Sequence, residues 1–333
     1  MTALLGVALC AVSLWAMLGG SARISLAEAA GAIRAFLDGD KENITAIVLL
    51  EIRLPRVLLA LAAGAALAVS GAAFQGFFRN ALADPYVIGS SSGAALGAAA
   101  AMIGGFALNG SPLSGVMAAA FAGAILAVFL AFALARAAGN PPPAAALLLS
   151  GVSISAFFSA ALSMLLVIKD RDLYRVYYWL LGSLAGTSWT HLASVLPAIV
   201  LGAILVFLQA SRLDILLQGD ETAESLGVDT GKTRLAVAIG SSLACAAAVA
   251  ACGIIGFVGL IAPHAMRLLA GPAHRKLLPA SALAGAVLLV TADVLSRSII
   301  PPMEIPIGII CSLAGCPFFL YLLAKHGRNM GRM

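Results

Sequence analysis

Charge is what this chain has least of. Only 11% of its 333 residues are charged and 62% are hydrophobic, whereas a soluble domain carries about a quarter charged residues. No fold standing in water covers that much apolar surface. The basic excess is thin, 20 basic against 15 acidic residues, with no basic run of five or six and no interleaved aromatic pattern. That argues against nucleic acid as a partner. Cysteine is sparse as well. Cys10, Cys245, Cys252, Cys311 and Cys316 lie within apolar runs, form no CxxC pair and have no histidine cluster beside them. They read as small buried hydrophobes and not as disulfides or metal ligands. His264 stands alone, without HExxH or a second His within helical reach, and no Ser-His-Asp or dicarboxylate constellation is present. Nothing in the sequence calls for a cofactor or supports an active site.

Long apolar runs are what the chain has in abundance. A span needs about 20 apolar residues. Lipid offers the backbone no hydrogen-bond partner, so only helix bundles and closed barrels cross it. Barrel strands alternate polar and apolar residues, and these runs are apolar all round. The expected class is all-α, a polytopic membrane protein of ten transmembrane helices. The spans fall near 3–20, 57–77, 86–108, 114–136, 144–168, 192–210, 235–252, 254–270, 278–297 and 305–324. Residues 1–333 then form one transmembrane domain, whose longest polar stretches are 21–56 and about 211–234. Gly253, Gly256 and Gly259 favour a break in the long apolar stretch from Leu235 to Pro263. The first run has no basic leader and reads as a retained span, although a signal peptide ending near GGSA would look similar.

Ten spans put both termini on one side. Eleven basic residues share that side, among them Arg79, Arg136, Lys232, Arg234 and the tail residues Lys325, Arg328 and Arg332. The other side holds nine, most of them in loops that also carry Glu28, Asp38, Asp40, Glu42, Glu51, Asp170 and Asp172. The undiluted basic tail makes the terminal side cytoplasmic. Tyr174, Tyr177, Tyr178, Trp179 and Trp189 resemble an aromatic belt at the outer interface, on a short half-helix.

Small residues recur at helical spacing. Gly89, Gly93 and Gly97 lie four apart, the pattern that lets helix backbones approach closely in lipid. Gly151, Ser155, Ser159 and Ser163 form a second such stripe. Its serines either line a watery path or bond back to their own helix carbonyls.

Several charges stand where a membrane helix disfavours them. Arg53 and Arg56 flank Pro55 at the start of a span. Two arginines at a helix N-terminus oppose the macrodipole, and on ten spans they also face outside. Either the topology is inverted, or they meet an acidic partner, or they snorkel to headgroups. Arg297 has Asp293 one turn before it, and Glu304 opens the last span. The stretch QGDETAESLGVDTGKTR is the most polar interior loop. Its Asp220, Glu221 and Glu224 before Leu226 and Gly227 describe a short helix of two turns at most, suited to docking another protein. GVDTGKT beside it imitates a phosphate-binding loop. That pattern needs GxxxxGK[ST] after a buried strand, and here Gly227 precedes Gly231 by four and not five.

These blocks together resemble the FecCD permease family, the membrane subunits of type II ABC importers. The likeness rests on RLPR (53–56), SGAAFQGFFRNALADPYVIGSSSGAALG (70–97), WLLGSLAGTSW (179–189), GDETAESLGV (219–228), GFVGLIAPHAMRLLAGPAHRKLLPASAL (256–283), ADVLSR (292–297) and EIPIGIICSLAGCPFFLYLL (304–323). Ala81 stands where the family often has Pro, and Cys316 where it often has Ala.

The resemblance implies ten spans and a homodimer with one central pathway in the cytoplasmic membrane of a bacterium. It implies an ABC ATPase subunit in two copies beneath the dimer, so that hydrolysis belongs to the partner. A substrate-binding protein outside would deliver a metal chelate such as an iron siderophore, haem or cobalamin. By the same resemblance Asp220, Glu221, Thr222, Glu224, Leu226 and Gly227 form the coupling helix. Arg53, Arg56 and Arg297 meet acids of the binding protein, and Ser155, Ser159, Ile307 and Ser312 line the pathway. The rival reading is an ion-coupled secondary transporter, which needs a carboxylate or His relay within its spans. Asp293 alone offers itself, beside Arg297.

Overall fold

The computed structural model describes residues 2–20, 24–108, 112–139 and 142–330. Of the basic tail, Arg332 lies outside the described residues. Fifteen helices follow one another among the described residues, with no strand. They are α1 (Thr2–Leu18), α2 (Leu26–Leu37), α3 (Ile44–Ile47), α4 (Leu54–Phe77), α5 (Ser90–Gly104), α6 (Pro112–Ala135), α7 (Ala144–Ile168), α8 (Leu173–Leu180), α9 (Trp189–Leu208), α10 (Ala210–Leu216), α11 (Asp220–Ser225), α12 (Thr230–Cys252), α13 (Val258–Ala270), α14 (His274–Ser296) and α15 (Ile307–Met330). A helix lies at each of the ten predicted spans. Six stretches are long and apolar enough to cross a bilayer, those containing α4, α6, α7, α9, α12 and α14, and shorter apolar stretches, α1, α5, α13 and Ile307–Tyr321 of α15, stand at the other places.

The segment 24–56 is more ordered than its polarity implied. Ser25 caps α2: its hydroxyl accepts from Glu28 N at 3.2 Å and Glu28 Oε2 accepts from Ser25 N at 2.7 Å. That reciprocal pair is a capping box, legible in SLAE and overlooked. The capping hydrogen bond to Ser25 N also holds the Glu28 carboxyl below its usual range. A further correction concerns Arg53 and Arg56. They do not open a helix, because the helical run begins at Ile44 and continues through a π turn, Val48–Arg53, into α4. The macrodipole objection to them therefore disappears. Pro55 explains the turn. In the π register Leu50 O would take its hydrogen bond from residue 55, which has no N–H. The Trp189 indole Nε1–H donates to Leu50 O instead, at 3.1 Å.

Helix α4 is the axis of the bundle and is buried for most of its length. Nearly half of its residues are Ala or Gly, which is why neighbours close on it from several sides. Helices α14, α12, α13 and α9 all pack against it. A Cβ added at Gly64 would strike the Gly285 carbonyl of α14, and one at Gly285 would strike Gly64. Gly93 and Gly97 do the same work between α5 and α6, backed onto the carbonyls of Gly123 and Ala119. Gly89 stands apart from that stripe. It precedes α5 in the left-handed region at φ 92° and sits against Ser155 and Gly151 of α7.

The long apolar stretch breaks where the glycines indicated. Helix α12 stops at Cys252, Gly253 has φ 71°, and α13 starts after Phe257. Backbone freed within a membrane needs partners inside the protein, and neighbouring interruptions supply them to one another. Ser183 N donates to Cys252 O at 2.8 Å, and the Tyr86 hydroxyl donates to Ile255 O at 2.8 Å. Ile307 N and Gly308 N donate to Gly182 O and Leu181 O, each at 3.0 Å.

Candidate functional site

Helix α4 joins two clusters of charge at opposite ends of the bundle. At its start, three predicted arginines converge but turn inward. Arg56 Nε donates to Asp293 Oδ1 at 2.8 Å, and its two terminal nitrogens fork onto Glu304 at 2.8 and 2.9 Å. Arg297 Nε donates to the other Asp293 oxygen at 3.1 Å, and its Nη2 to Ala16 O at 2.6 Å. Arg53 Nη1 donates to Met17 O at 2.6 Å. The arginines are 5%, 8% and 6% exposed for Arg53, Arg56 and Arg297. They pin α1, α4 and α14 to one another, and none lies open on the surface in this conformation.

Of the two arginines that flank Pro55, Arg56 is thus answered by acids of the same chain. Sequence reading paired Asp293 with Arg297 and missed Arg56. A signal for it was available: on ten spans, Arg56, Asp293, Arg297 and Glu304 all fall at the same membrane boundary. Opposite charges at one depth in a charge-poor chain are natural partners.

At the far end of α4 lies the acidic loop. Helix α11 is six residues long, as short as predicted, and ends in paired returns. Val228 N donates to Ala223 O and Gly227 N to Glu224 O, each at 2.9 Å. This is a Schellman end, and Gly227 at φ 78° supplies its left-handed residue. Ala223 and Val228 point inward, whereas Glu221, Thr222, Glu224 and Leu226 face out. Leu226 is 64% exposed.

Asp220 behaves differently from its neighbours. It sits between Arg79, which follows α4, and Arg234 of α12, whose Nη2 reaches both carboxylate oxygens at 2.8 and 2.9 Å. Arg79 Nε also donates to Leu216 O at 2.9 Å. Glu224 accepts from the Thr230 hydroxyl at 3.1 Å. Asp229 caps α12 by accepting from Lys232 N at 2.9 Å, and that hydrogen bond holds its carboxyl below the usual range. The exposed knob is therefore bolted to α4 and α12 through Asp220. Sequence reading grouped Asp220 with the outward acids and missed both arginines, which lie 141 and 14 residues away.

The four pathway candidates separate. Ser155 is half-buried and Ser159 exposed on α7, a helix mostly unburied in one chain. Ser163 bonds back to Ser159 O at 2.9 Å. Ser312 lines an apolar groove of about 570 Å³ with Leu180, Ile254, Gly308 and Leu313. Ile307 is only 1% exposed and belongs to the core, so its side chain lines nothing here. Helix α7 packs chiefly on α5 and α6, and α15 on α13 and α14, so one chain does not close a passage between them. His264 lies edge-on to Phe318, with ring centres 6.2 Å apart. Among the described residues no group of three or more His, Cys, Asp or Glu gathers as a metal site.

Known proteins resemble this chain over most of its length. It is 47% identical to the cobalamin import system permease of Halobacterium salinarum, over 83% of this chain and 73% of that protein. It is 44% identical to the hemin transport system permease of Yersinia pestis, over 83% of each. A solved structure described as an inward-facing metal-chelate-type ABC transporter superposes with a TM-score of 0.85 at 32% identity, covering 97% of this chain and 98% of that one. The FecCD transport family matches residues 7–325. An interrupted helical bundle with a bolted acidic knob and no nucleotide loop agrees with those likenesses: the chain belongs to the FecCD transport family and is a multi-pass permease of an ABC importer.

Proposed function

We propose that two copies of this chain form the membrane channel of an importer for a metal chelate of the cobalamin, haem or ferric-siderophore kind. Each copy is one membrane domain of ten crossings, with both termini in the cytoplasm. Two ATPase subunits grip the knobs from below. A binding protein delivers cargo from outside, and alternating access moves it inward. The observation that carries this reading is α11 itself, an exposed knob with Glu221, Thr222, Glu224, Leu226 and Gly227 outward and Asp220 bolted to the spans. A push on such a knob reaches α4 and α12 without loss in a loose loop.

The pathway lies between the copies, along the open faces of α7, with Ser155 and Ser159, and of α15, with Ser312. A passage lined by these helices requires two chains, because one leaves both faces uncovered. Ile307 acts from behind that wall by seating the start of α15. Docking at the outer rim works through the arginine cluster. A binding-protein carboxylate reaching Arg56, Arg297 or Arg53 must displace an internal acid, and Glu304, with its side chain 36% exposed, is the replaceable one. Gly93 and Gly97 keep α5 and α6 moving as one body. The cargo names of the relatives and the likeness to a metal-chelate transporter support the chelate class.

Reconstitution tests the proposal. The purified chain with its ATPase and binding protein in liposomes should take up chelate when ATP is supplied inside, and an uncoupler at constant ATP should leave uptake intact. Uptake that collapses with the uncoupler would make this an ion-driven carrier. Asp293, the carboxylate such a carrier would use, is already engaged by two arginines.

A further inference from the structure

The phosphate-loop imitation GVDTGKT has no nucleotide to bind, yet it opens onto a cavity. Its Asp229, Gly231 and Lys232 line a space of about 270 Å³ together with Phe132, Arg136, Pro142, Leu147, Arg234 and Leu235. Three helix ends meet there: the end of α6 and the starts of α7 and α12. All three stand at one membrane boundary, on the side of the α11 knob.

The lining divides into two halves. Arg136, Lys232 and Arg234 supply three cations against the single carboxylate of Asp229. Arg136 is exposed, and its side chain makes no hydrogen bond or ion pair among the described residues. Lys232 holds Asp229 through a 3.0 Å pair on an open surface, its own side chain 87% exposed, and such pairs are weak and readily exchanged. Arg234 is largely buried; its Nη2 serves Asp220, while its Nε–H has no acceptor. The start of α12 adds its partial positive charge. Phe132, Pro142, Leu147 and Leu235 form the other half, an apolar wall that runs from the buried Leu147 to the exposed Leu235.

We propose that this cavity is a binding site for the phosphodiester headgroup of an anionic phospholipid, with Arg136 and Lys232 as its principal ligands. Free phosphate would satisfy the cations but leave the apolar wall wet. A lipid satisfies both, because its glycerol and first methylenes can lie against Phe132 and Leu235. Basic pockets at span ends draw anionic headgroups for this reason. The site is also tied to the knob. Arg234 lines the cavity and grips Asp220 at the start of α11, so an occupied site stiffens the joint between α11 and α12. On the orientation proposed above, the leaflet concerned is the cytoplasmic one.

Native mass spectrometry of the purified full chain in detergent tests the site, with phosphatidylglycerol, phosphatidylcholine and inorganic phosphate as probes. Wild type should retain phosphatidylglycerol well above phosphatidylcholine. Arg136→Gln with Lys232→Gln should lower phosphatidylglycerol retention by roughly 10- to 30-fold and leave phosphatidylcholine unchanged. Both residues are exposed, so the thermal midpoint of the double variant in lipid-free detergent should stay at the wild-type value, which separates loss of the site from loss of the fold. Equal retention of the two lipids, or full retention of phosphatidylglycerol by the double variant, overturns the proposal. So does displacement of the lipid by millimolar inorganic phosphate, which would make the site one for a free anion. Lipid retention by the isolated chain depends on neither orientation nor transport, so this inference and the importer reading fail separately.

Discussion

Arg56 and Asp293 lie 237 residues apart and meet at 2.8 Å, with the Asp293 side chain fully buried. Asp293 holds Arg297 on its other oxygen, so one carboxylate answers two guanidinium groups. Removing one member of a buried ion pair leaves an uncompensated charge, a loss of about 3–5 kcal/mol. Asp293→Asn should therefore lower the thermal unfolding midpoint of the purified protein sharply. Glu304→Gln should lower it much less, because Glu304 reaches solvent and water can replace it beside Arg56.

The same asymmetry bears on the docking proposed for the outer rim. If a binding-protein acid competes with Glu304 for Arg56, Glu304→Gln should tighten binding and Arg56→Glu should weaken it. A matched acid-to-Lys change in the binding protein should restore affinity to Arg56→Glu. The effects should be largest at low salt, where exposed charges are least screened. Unchanged affinity of both variants at low salt would remove these arginines from the docking account.

Two kinds of acid on α11 should separate by experiment. Glu221→Lys and Leu226→Asp alter exposed side chains, so stability should move by less than about 0.5 kcal/mol while stimulation of the ATPase is lost. Asp220→Asn should instead lower the melting midpoint, because it releases Arg79 and Arg234 from their shared partner. Paired melting curves and ATPase rates distinguish contact from anchorage.

Gly93 and Gly104 belong to the same helix and should answer differently to the same change. A Cβ at Gly93 collides with Gly123, whereas at Gly104 it meets nothing within 4 Å. Gly93→Val should destabilise by at least the roughly 1–3 kcal/mol typical of overpacking, because backbone must move. Gly104→Val should leave the melting midpoint near the wild-type value.

Asp84, in the hinge between α4 and α5, predicts a pH effect. Burial pushes its carboxyl up to about 6, against the opposing hydrogen bond from Tyr86 N. A carboxyl whose folded pKa is raised favours the folded state when protonated. Its penalty appears as pH rises from about 4 and is complete above about 6. Asp84→Asn keeps an acceptor for Tyr86 N and cannot ionise. Its stability relative to wild type should rise across that window and level off above it, as read by melting midpoints at graded pH.

Most of the architecture was legible locally. A bilayer constrains each segment separately, through length, hydrophobicity and backbone satisfaction, so spans can be read without knowing their neighbours. The break at Gly253, the short α11 and the aromatic half-helix α8 follow from glycine, capping and interfacial preferences acting within a few residues. Helix α2 was equally local, and the SLAE box announced it. Tertiary structure decided what each charge does. Nothing near Arg56 names Asp293, and nothing near Asp220 names Arg79, because an ion pair depends on where two helices pack. Sequence thus determined that this chain is an interrupted helical membrane bundle with an acidic knob. Only the packing of α4 against α12 and α14 turned its arginines inward and fastened that knob to the spans, since paired burial is the one way those charges could enter so apolar a body.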